Sequence, residues 1–329
     1  MAAQVLRTCI SVESIMTPSQ KFRVAYLGPP GTFTEEALLA QPDLAEMDLL
    51  ALPSIDAVLE AVTLGSAEFG FVPIENSIEG TVSATIDSLI FDHQLLIIRE
   101  VISDIHLHLL GIPGTTLDQI EQVWSYPHAL AQCRKFTALQ IPNAELKASN
   151  STAEAAMLVK KANIPSKAAI APRVAAKIYQ LESLEENIED HQGNQTRFLV
   201  VGKDVIPAPS ANDKTAIVCF QLSDQPGSLF SILAEFSARN LNLSKLESRP
   251  SKKGLGEYCF VIEFEGHVAN HVVADTLVAL KRKLADIKFL GSFPKFDNTL
   301  TPAERILDGD DPASQWVAQI RRQISGATD

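Results

Sequence analysis

The sequence alternates between short apolar runs and helix-forming stretches that open with a polar capping residue. Residues 22–27 form an apolar run that favours a strand and ends at a loop with two prolines and two glycines, 28–31. Thr32 then precedes Glu35 by three residues, which is the spacing of a capping box. Further short apolar runs occupy 69–74, 123–124, 168–171 and 198–201. This alternation predicts an α/β fold in which right-handed crossovers connect the strands of a sheet.

A different pattern follows residues 204–214, a stretch rich in proline and small polar residues that we interpret as a linker. Beyond it the order strand, helix, strand, strand, helix, strand predicts a ferredoxin-like βαββαβ domain. The last segment contains a possible helix with an apolar stripe of Trp316, Val317, Ile320 and Ile324. The predicted division is a disordered leader 1–21, a first domain 22–203, a linker 204–214, a second domain 215–296 and a tail 297–329.

Charge and cysteine content exclude several function classes. The chain has 28 Lys and Arg against 40 Asp and Glu, a formal charge of -12, which disfavours nucleic acid and anionic lipid as partners. No run of about 18 apolar residues and no secretory h-region occurs, so we expect neither a membrane span nor secretion. The spacing of the four cysteines is not typical of a zinc site, so we expect no metal. We expect the four to be reduced thiols in the cytoplasm: Cys9, Cys133, Cys219 and Cys259.

Polar residues follow the ends of several predicted strands, where α/β folds bind their ligands. Ser125, Ser151 and Thr152 stand at predicted helix starts, and converging helix N-termini would bind a small acid with more than one carboxylate. On spacing alone, the three residues also suit ordinary helix caps. Glu75 is either a partly desolvated acid or a solvated loop carboxylate. Arg197 either holds a carboxylate bidentately or forms a surface salt bridge.

Four segments, in this order along the chain, resemble the signature blocks of the prephenate dehydratase family: residues 28–34, 72–80, 150–152 and 194–198. Two later segments, 226–229 and 247–250, resemble those that line the phenylalanine site of an ACT regulatory domain. Together the resemblance covers roughly residues 22–296.

The resemblance implies a catalytic region of two α/β lobes, similar to a type II periplasmic binding protein, followed by the ferredoxin-like ACT domain. It also implies that prephenate loses carbon dioxide and its ring hydroxyl to give phenylpyruvate, without metal or organic cofactor. The implied catalytic residues are Thr196, Glu75, Asn76, Ser125 and Gln132. The implied substrate-binding residues are Thr32, Asn150, Ser151, Thr152, Arg197 and Phe198. Either Thr196 or a protonated Glu75 would supply the proton.

The resemblance further implies regulation by L-phenylalanine at a subunit interface, and therefore a homodimer or homotetramer. The implied effector-binding residues are Gly227, Ser228, Leu229, Glu247, Ser248, Arg249 and Pro250. Two alternatives stay open. One is arogenate dehydratase, which performs the same chemistry on the transaminated substrate, and the other is a sensor that binds a small acid without turning it over.

Overall fold

A computed structural model describes residues 22–221, 225–252, 254, 257–296 and Trp316. The chain divides into two compact units. Among the described residues, the N-terminal unit comprises 22–95 and Glu100–Lys203, and the C-terminal unit comprises Leu96–Arg99 and the residues from Asp204 onward. The predicted leader, 1–21, and the predicted tail helix lie outside the described residues, apart from the exposed Trp316.

Strands and helices alternate through most of the described chain. The strands are β1 (Arg23–Leu27), β2 (Asp48–Leu52), β3 (Phe69–Asn76), β4 (Gly80–Thr81), β5 (Leu96–Asp104), β6 (His108–Gly111), β7 (Gln122–Ser125), β8 (Glu145–Ala148), β9 (Lys167–Ala171), β10 (Glu182–Glu185), β11 (Gln195–Gly202), β12 (Asp213–Phe220), β13 (Leu243–Pro250), β14 (Tyr258–Glu265) and β15 (Asp286–Pro294). The helices are α1 (Phe33–Leu39), α2 (Pro42–Ala45), α3 (Ile55–Thr63), α4 (Ser83–Phe91), α5 (Pro127–Gln132), α6 (Arg134–Gln140), α7 (Thr152–Ala162), α8 (Arg173–Tyr179), α9 (Ser228–Ser237) and α10 (His271–Lys283).

Two sheets form two lobes, as the resemblance implies. The first sheet has the order β2-β1-β3-β11-β5, with β4 paired to β3, and the second has the order β10-β6-β9-β7-β8. Both sheets are mixed. In the first, β11 pairs antiparallel with β3, while β1 pairs parallel with β2 and β3. In the second, β6 pairs antiparallel with β10 and β9, while β7 pairs parallel with β8 and β9. The chain leaves the first lobe after β5, builds the second, and returns as β11. That return places residues about 120 positions apart on neighbouring strands.

Polar caps start α1 and α7 where the sequence predicts them, whereas Ser125 ends β7 and does not cap α5. The Thr32 hydroxyl accepts from the backbone N of Glu35, and the Ser151 hydroxyl accepts from the backbone N of Glu154. Each glutamate side chain reaches back one residue further than in a standard capping box, to the backbone N of Gly31 and of Asn150 respectively. Gly31 adopts φ +91, and a Cβ there would lie 2.9 Å from the Tyr179 ring, so both conformation and space require glycine.

The C-terminal unit confirms the predicted βαββαβ order. Its sheet runs β13-β14-β12-β15 with antiparallel pairing throughout. Helices α9 and α10 pack on its apolar face around Phe236 and Phe264, whose rings meet edge to face at 5.0 Å. Strand β12 starts at Asp213, two residues before the predicted domain start, because the buried Asp213 carboxylate accepts hydrogen bonds from Ser210 and anchors the strand there.

Candidate active site

The core of the first lobe fixes the register of β3 against β11. Phe71 on β3 and Phe198 on β11 stack with their centroids 5.1 Å apart, and both side chains are buried. The register pairs Thr196 with Asn76 and Arg197 with Glu75, and then shifts by one residue toward the core. Directly opposed residues project from the same face of a sheet, and consecutive residues project from opposite faces. The Thr196–Asn76 pair and the Arg197–Glu75 pair therefore lie on opposite faces of these two strands.

Asn76 has an orientation that backbone groups decide. Its Oδ1 accepts from the backbone N of Ile78 at 2.9 Å and from that of Glu79 at 3.0 Å. Its Nδ2 must therefore be the atom that faces Thr196, and it donates to the Thr196 Oγ1 at 2.9 Å. Because Thr196 Oγ1 accepts this bond, its own hydrogen can be donated to a bound molecule. The structure thus makes Thr196 a directed hydrogen-bond donor.

Asn194 extends the same set of hydrogen bonds to the second lobe. Its Oδ1 accepts from Asn76 Nδ2 at 2.8 Å, and its Nδ2 donates to Gln132 Oε1 at 3.1 Å. Gln132 is the last residue of α5 and belongs to the second lobe. We call Thr196, Asn76, Asn194 and Gln132 the amide chain. It brings together three of the five predicted catalytic residues.

The opposite face of the two strands carries charge. The Arg197 Nε donates to the Glu100 Oε2 at 2.7 Å, and both side chains are largely buried, at 11% and 2% exposure. Glu75 lies farther away, with Oε2 at 3.9 Å from Arg197 Nη1, and its side chain is 42% exposed. Glu75 is thus more exposed than the partly desolvated acid considered in the sequence analysis. We call Arg197, Glu100 and Glu75 the ionic cluster.

Two predicted site residues occupy structural positions instead. Ser125 is fully buried, and its hydroxyl donates to the backbone O of Ile170 at 2.6 Å, which ties β7 to β9. Phe198 is 1% exposed in the core of the first lobe, so its ring cannot contact a substrate in this structure. The sequence places Phe198 beside Arg197, but strand alternation and the apolar core direct its ring inward.

The remaining predicted substrate-binding residues are at helix starts. Thr32 and Ser151 cap α1 and α7, as described above, and Thr152 is buried in the first turn of α7. The Asn150 side-chain nitrogen donates to Glu154 Oε1 at 3.2 Å. Thr32 and Ser151 therefore act as helix caps, and among the described residues no hydrogen bond joins these four residues to the amide chain.

A further carboxylate connects the two lobes. Glu36, in the first turn of α1, accepts from the backbone N of Val174 in α8 at 3.0 Å. Burial raises the pKa of this carboxyl, and the hydrogen bond from Val174 and the neighbouring charge of Arg173 offset only part of that effect. Glu36 is therefore a partly buried acid whose main partner is a neutral backbone group.

The predicted effector residues lie on two elements of the C-terminal unit. Gly227 precedes α9 with φ +88, and the Leu229 side chain packs against the core of the unit. On β13 the exposure alternates, so that Glu247 and Arg249 lie on one face and Ser248 and Pro250 on the other. Glu247 Oε1 pairs with Arg249 Nη2 at 2.7 Å. The side chains of the second segment thus divide between two faces, and they cannot all line one pocket.

Comparison with known proteins assigns the chain. The sequence model of the prephenate dehydratase family matches residues 24–205. The chain belongs to this family. The ACT domain model matches residues 215–282 of the same chain. Both matches confirm the resemblance inferred from the short motifs, and with it the predicted class of enzyme, a lyase.

Relatives match the chain across both units. A prephenate dehydratase of Amycolatopsis methanolica is 40% identical over 91% of this chain and 98% of the relative. The crystal structure of a prephenate dehydratase from Arthrobacter aurescens in complex with L-Phe is 36% identical, with a TM-score of 0.81 over 91% of this chain and 99% of that one. A prephenate dehydratase structure from Staphylococcus aureus is 27% identical with a TM-score of 0.71, over 83% of this chain and all of that one.

Three residues of this prephenate dehydratase family member escaped the sequence analysis: Asn194, Glu100 and Glu36. Asn194 stands in the same motif as Thr196, two residues earlier, and that proximity was the available signal. Glu100 and Glu36 lie on other elements, and only the folded arrangement shows their partners.

Among the described residues, no group of three or more His, Cys, Asp or Glu side chains could hold a metal ion. No described helix is long and apolar enough to cross a bilayer.

Proposed function

We propose that the protein catalyses the decarboxylating dehydration of prephenate to phenylpyruvate. Family membership supports this substrate, and the amide chain supports the reaction type. The observation that carries the proposal is the hydrogen bond from Asn76 Nδ2 to Thr196 Oγ1, because it leaves the Thr196 hydroxyl hydrogen available to a leaving group. Elimination of a hydroxyl group requires a donor of this kind.

The reaction breaks two bonds of the substrate and makes the ring aromatic. The bond between the ring and its carboxylate breaks, carbon dioxide leaves, and the electron pair moves into the ring. The bond from the opposite ring carbon to the hydroxyl breaks, and the hydroxyl takes up one proton that comes from solvent and leaves as water. The Thr196 O–H donates a hydrogen bond to the departing oxygen as negative charge develops there. A threonine hydroxyl is a weak acid, so it stabilises this charge or relays a proton rather than supplying one alone.

The ionic cluster has a different part in this proposal. Arg197 donates to Glu100 through Nε, so that edge of the guanidinium is already engaged. We therefore assign Arg197 the role of a fixed positive charge that attracts a substrate carboxylate, whereas the sequence left open a bidentate ligand or a surface salt bridge. Glu75 shares the strand face of Arg197 and lies on the face opposite Thr196, so we assign it to the charge balance around Arg197 rather than to proton donation.

The C-terminal unit supplies regulation in the same proposal. The crystal structure from Arthrobacter aurescens contains L-Phe, and this chain matches it across the ACT domain. We propose that L-phenylalanine binds near Gly227 and Glu247, and that two or four copies of the chain associate through this unit. The three described cysteines are free thiols, which suits the reducing cytoplasm proposed as the location.

Phenylpyruvate release from prephenate tests the proposal. The purified protein is treated with chelator, incubated with prephenate, and followed by the absorbance of the phenylpyruvate enolate at alkaline pH, with and without L-phenylalanine. We expect turnover that survives chelation and changes with L-phenylalanine. A parallel incubation with arogenate tests the alternative substrate by phenylalanine formation. Turnover of arogenate alone would replace the proposed substrate, and no turnover of either would favour the sensor.

A further inference from the structure

The amide chain has a fixed direction of donation that begins at the backbone. The backbone N–H groups of Ile78 and Glu79 can only donate, so Asn76 must present Oδ1 to them and Nδ2 to its other neighbours. Asn194 must then present Oδ1 to Asn76 and Nδ2 to Gln132. Gln132 in turn must present Oε1 to Asn194. Its Nε2, with two hydrogens, is the group left for a ligand.

We propose that Asn194 is a positioning residue that makes Gln132 a hydrogen-bond donor to the substrate. The proposal rests on the proposed function and identifies how one predicted catalytic residue obtains its polarity. An isolated glutamine amide can present either its oxygen or its nitrogen to a ligand. Asn194 removes this choice, because only Gln132 Oε1 can accept from Asn194 Nδ2.

Burial and backbone contacts make Asn194 suitable for this role. Asn194 is 4% exposed, so water competes poorly for its side-chain amide. Its backbone O accepts from the backbone N of Ile105 at 2.8 Å, which fixes the residue beside β11. Gln132 is anchored as well, since its backbone O accepts from the backbone N of Asp190. Both ends of the Asn194–Gln132 bond are therefore attached to rigid segments.

The result is a pair of donors held by one hydrogen-bond chain. The Thr196 O–H at one end and the Gln132 N–H groups at the other are the donors that the hydrogen bonds of the chain do not use. Carboxylate and departing hydroxyl oxygens are acceptors, so this pair matches the charge distribution of a substrate that loses hydroxide and carries carboxylates. A reversal of the Gln132 amide would present an acceptor to an anionic ligand and repel it.

The variant Asn194→Asp tests the direction of donation. An ionised aspartate still accepts from Asn76 but can only accept from Gln132, which must turn its nitrogen inward and its oxygen toward the substrate. We expect kcat to fall by about 100-fold at about pH 8, the typical loss for one oriented donor. A protonated aspartate can again donate to Gln132 Oε1. The deficit relative to wild type should therefore shrink as the pH is lowered toward about 5.

A double-variant cycle separates this role from a structural one. Gln132→Met removes the amide at the far end, and in that background Asn194→Asp should cost less than about threefold in kcat. Additive losses would overturn the proposal, since they would mean that Asn194 acts without Gln132. A loss in Asn194→Asp that does not change with pH would also overturn it. Gln140→Glu makes the same amide-to-acid change at an exposed position of α6 and should leave the profile as in wild type.

The same set of assays distinguishes the failure of this inference from the failure of the proposed function. If wild type does not turn over prephenate, the proposed function is wrong. If wild type is active and Asn194→Asp is equally active at every pH, only the role of Asn194 is wrong. Should Asn194→Asp fail to fold, as judged by circular dichroism, Gln132→Glu probes the same donor with Asn194 intact. Its activity should also recover at low pH, when the outward carboxyl oxygen carries a hydrogen, and a flat profile would contradict the proposal.

Discussion

The two faces of the β3–β11 strand pair use different physical means to organise a site. On one face the amide chain contains only neutral groups, and each hydrogen bond has a direction fixed by its neighbours. On the other face the ionic cluster holds a buried guanidinium against a buried carboxylate. Neutral groups cost little to bury once they are bonded, whereas an unpaired buried charge costs several kcal/mol.

This difference separates the two contributions to function. The amide chain determines which atoms can donate to a ligand, so its residues should affect turnover more than stability. The Arg197–Glu100 pair satisfies charge in the interior, so its residues should affect stability first. The register of β3 and β11 places Thr196 next to Arg197 and Asn76 next to Glu75, so the two arrangements share these strands. The predictions below test whether this division holds.

The largest expected effect is on turnover, from Thr196→Val. Valine keeps the shape of threonine and its strand preference, but removes the hydroxyl that donates to the leaving group. We expect kcat for prephenate to fall by about 100- to 1,000-fold while the unfolding midpoint changes little. Steady-state kinetics and thermal unfolding of the same preparation measure both. A variant with near-native turnover would remove Thr196 from the mechanism.

The ionic cluster should respond in the opposite way. Glu100→Ala removes the carboxylate 2.7 Å from Arg197 and leaves a largely buried cation, which should destabilise the protein by about 3–5 kcal/mol. Glu75→Gln is the matched control, because its carboxylate is farther from Arg197 and 42% exposed, and we expect a loss below about 1 kcal/mol. Urea unfolding of both variants measures the difference.

Equal stability losses in Glu100→Ala and Glu75→Gln would contradict the division between the two faces. So would a Glu100→Ala variant that unfolds as wild type does but turns over more slowly than Thr196→Val. Glu100→Gln sharpens the test further, since its amide oxygen can still accept from Arg197 Nε. It should be less destabilised than Glu100→Ala, because only the charge is lost.

The sequence predicted the composition of this site better than its arrangement. Local spacing identified the helix caps at Thr32 and Ser151, because a cap depends on residues three positions apart. The motif around Thr196 was also recognisable, but strand alternation places Arg197 and Phe198 in surroundings that their proximity in sequence does not show. Glu100 contacts Arg197 across 97 positions, and such a pair follows only from the order of strands in the sheet.

The C-terminal unit shows the same limit. Its βαββαβ order follows from local patterns, since each strand and helix has its own periodicity. The division of the second effector segment between two faces of β13 also follows from alternation, once the strand is known to be regular through Pro250. A motif is defined by consecutive residues, so the resemblance grouped four of them together: Glu247, Ser248, Arg249 and Pro250. The residues that line a pocket must lie on the same face of the strand, and Glu247 and Arg249 share one face while Ser248 and Pro250 share the other.

The smallest expected effect concerns Glu36, a partly buried carboxylate whose main partner is neutral, in contrast to Glu100, whose partner is a guanidinium. Burial raises the folded-state pKa of Glu36 above the ordinary value of 4.5, so the folded protein binds a proton that the unfolded chain has lost in the pH range between those two values. Stability should therefore fall as pH rises through that range.

Glu36→Gln keeps an oxygen to accept from Val174 and cannot ionise. We therefore expect it to be more stable than wild type at neutral pH, by less than about 1 kcal/mol given the partial exposure of Glu36. This difference in the free energy of unfolding between Glu36→Gln and wild type should disappear below about pH 4.5, where the carboxyl of wild type is neutral as the amide is. Urea unfolding across a pH series measures it. The control is Glu60→Gln, at an exposed position, which should show no such trend. A Glu36→Gln variant less stable than wild type at neutral pH would mean that the negative charge itself stabilises the start of α8, and the contrast between charge-paired and neutrally paired carboxylates would then not extend beyond the β3–β11 pair.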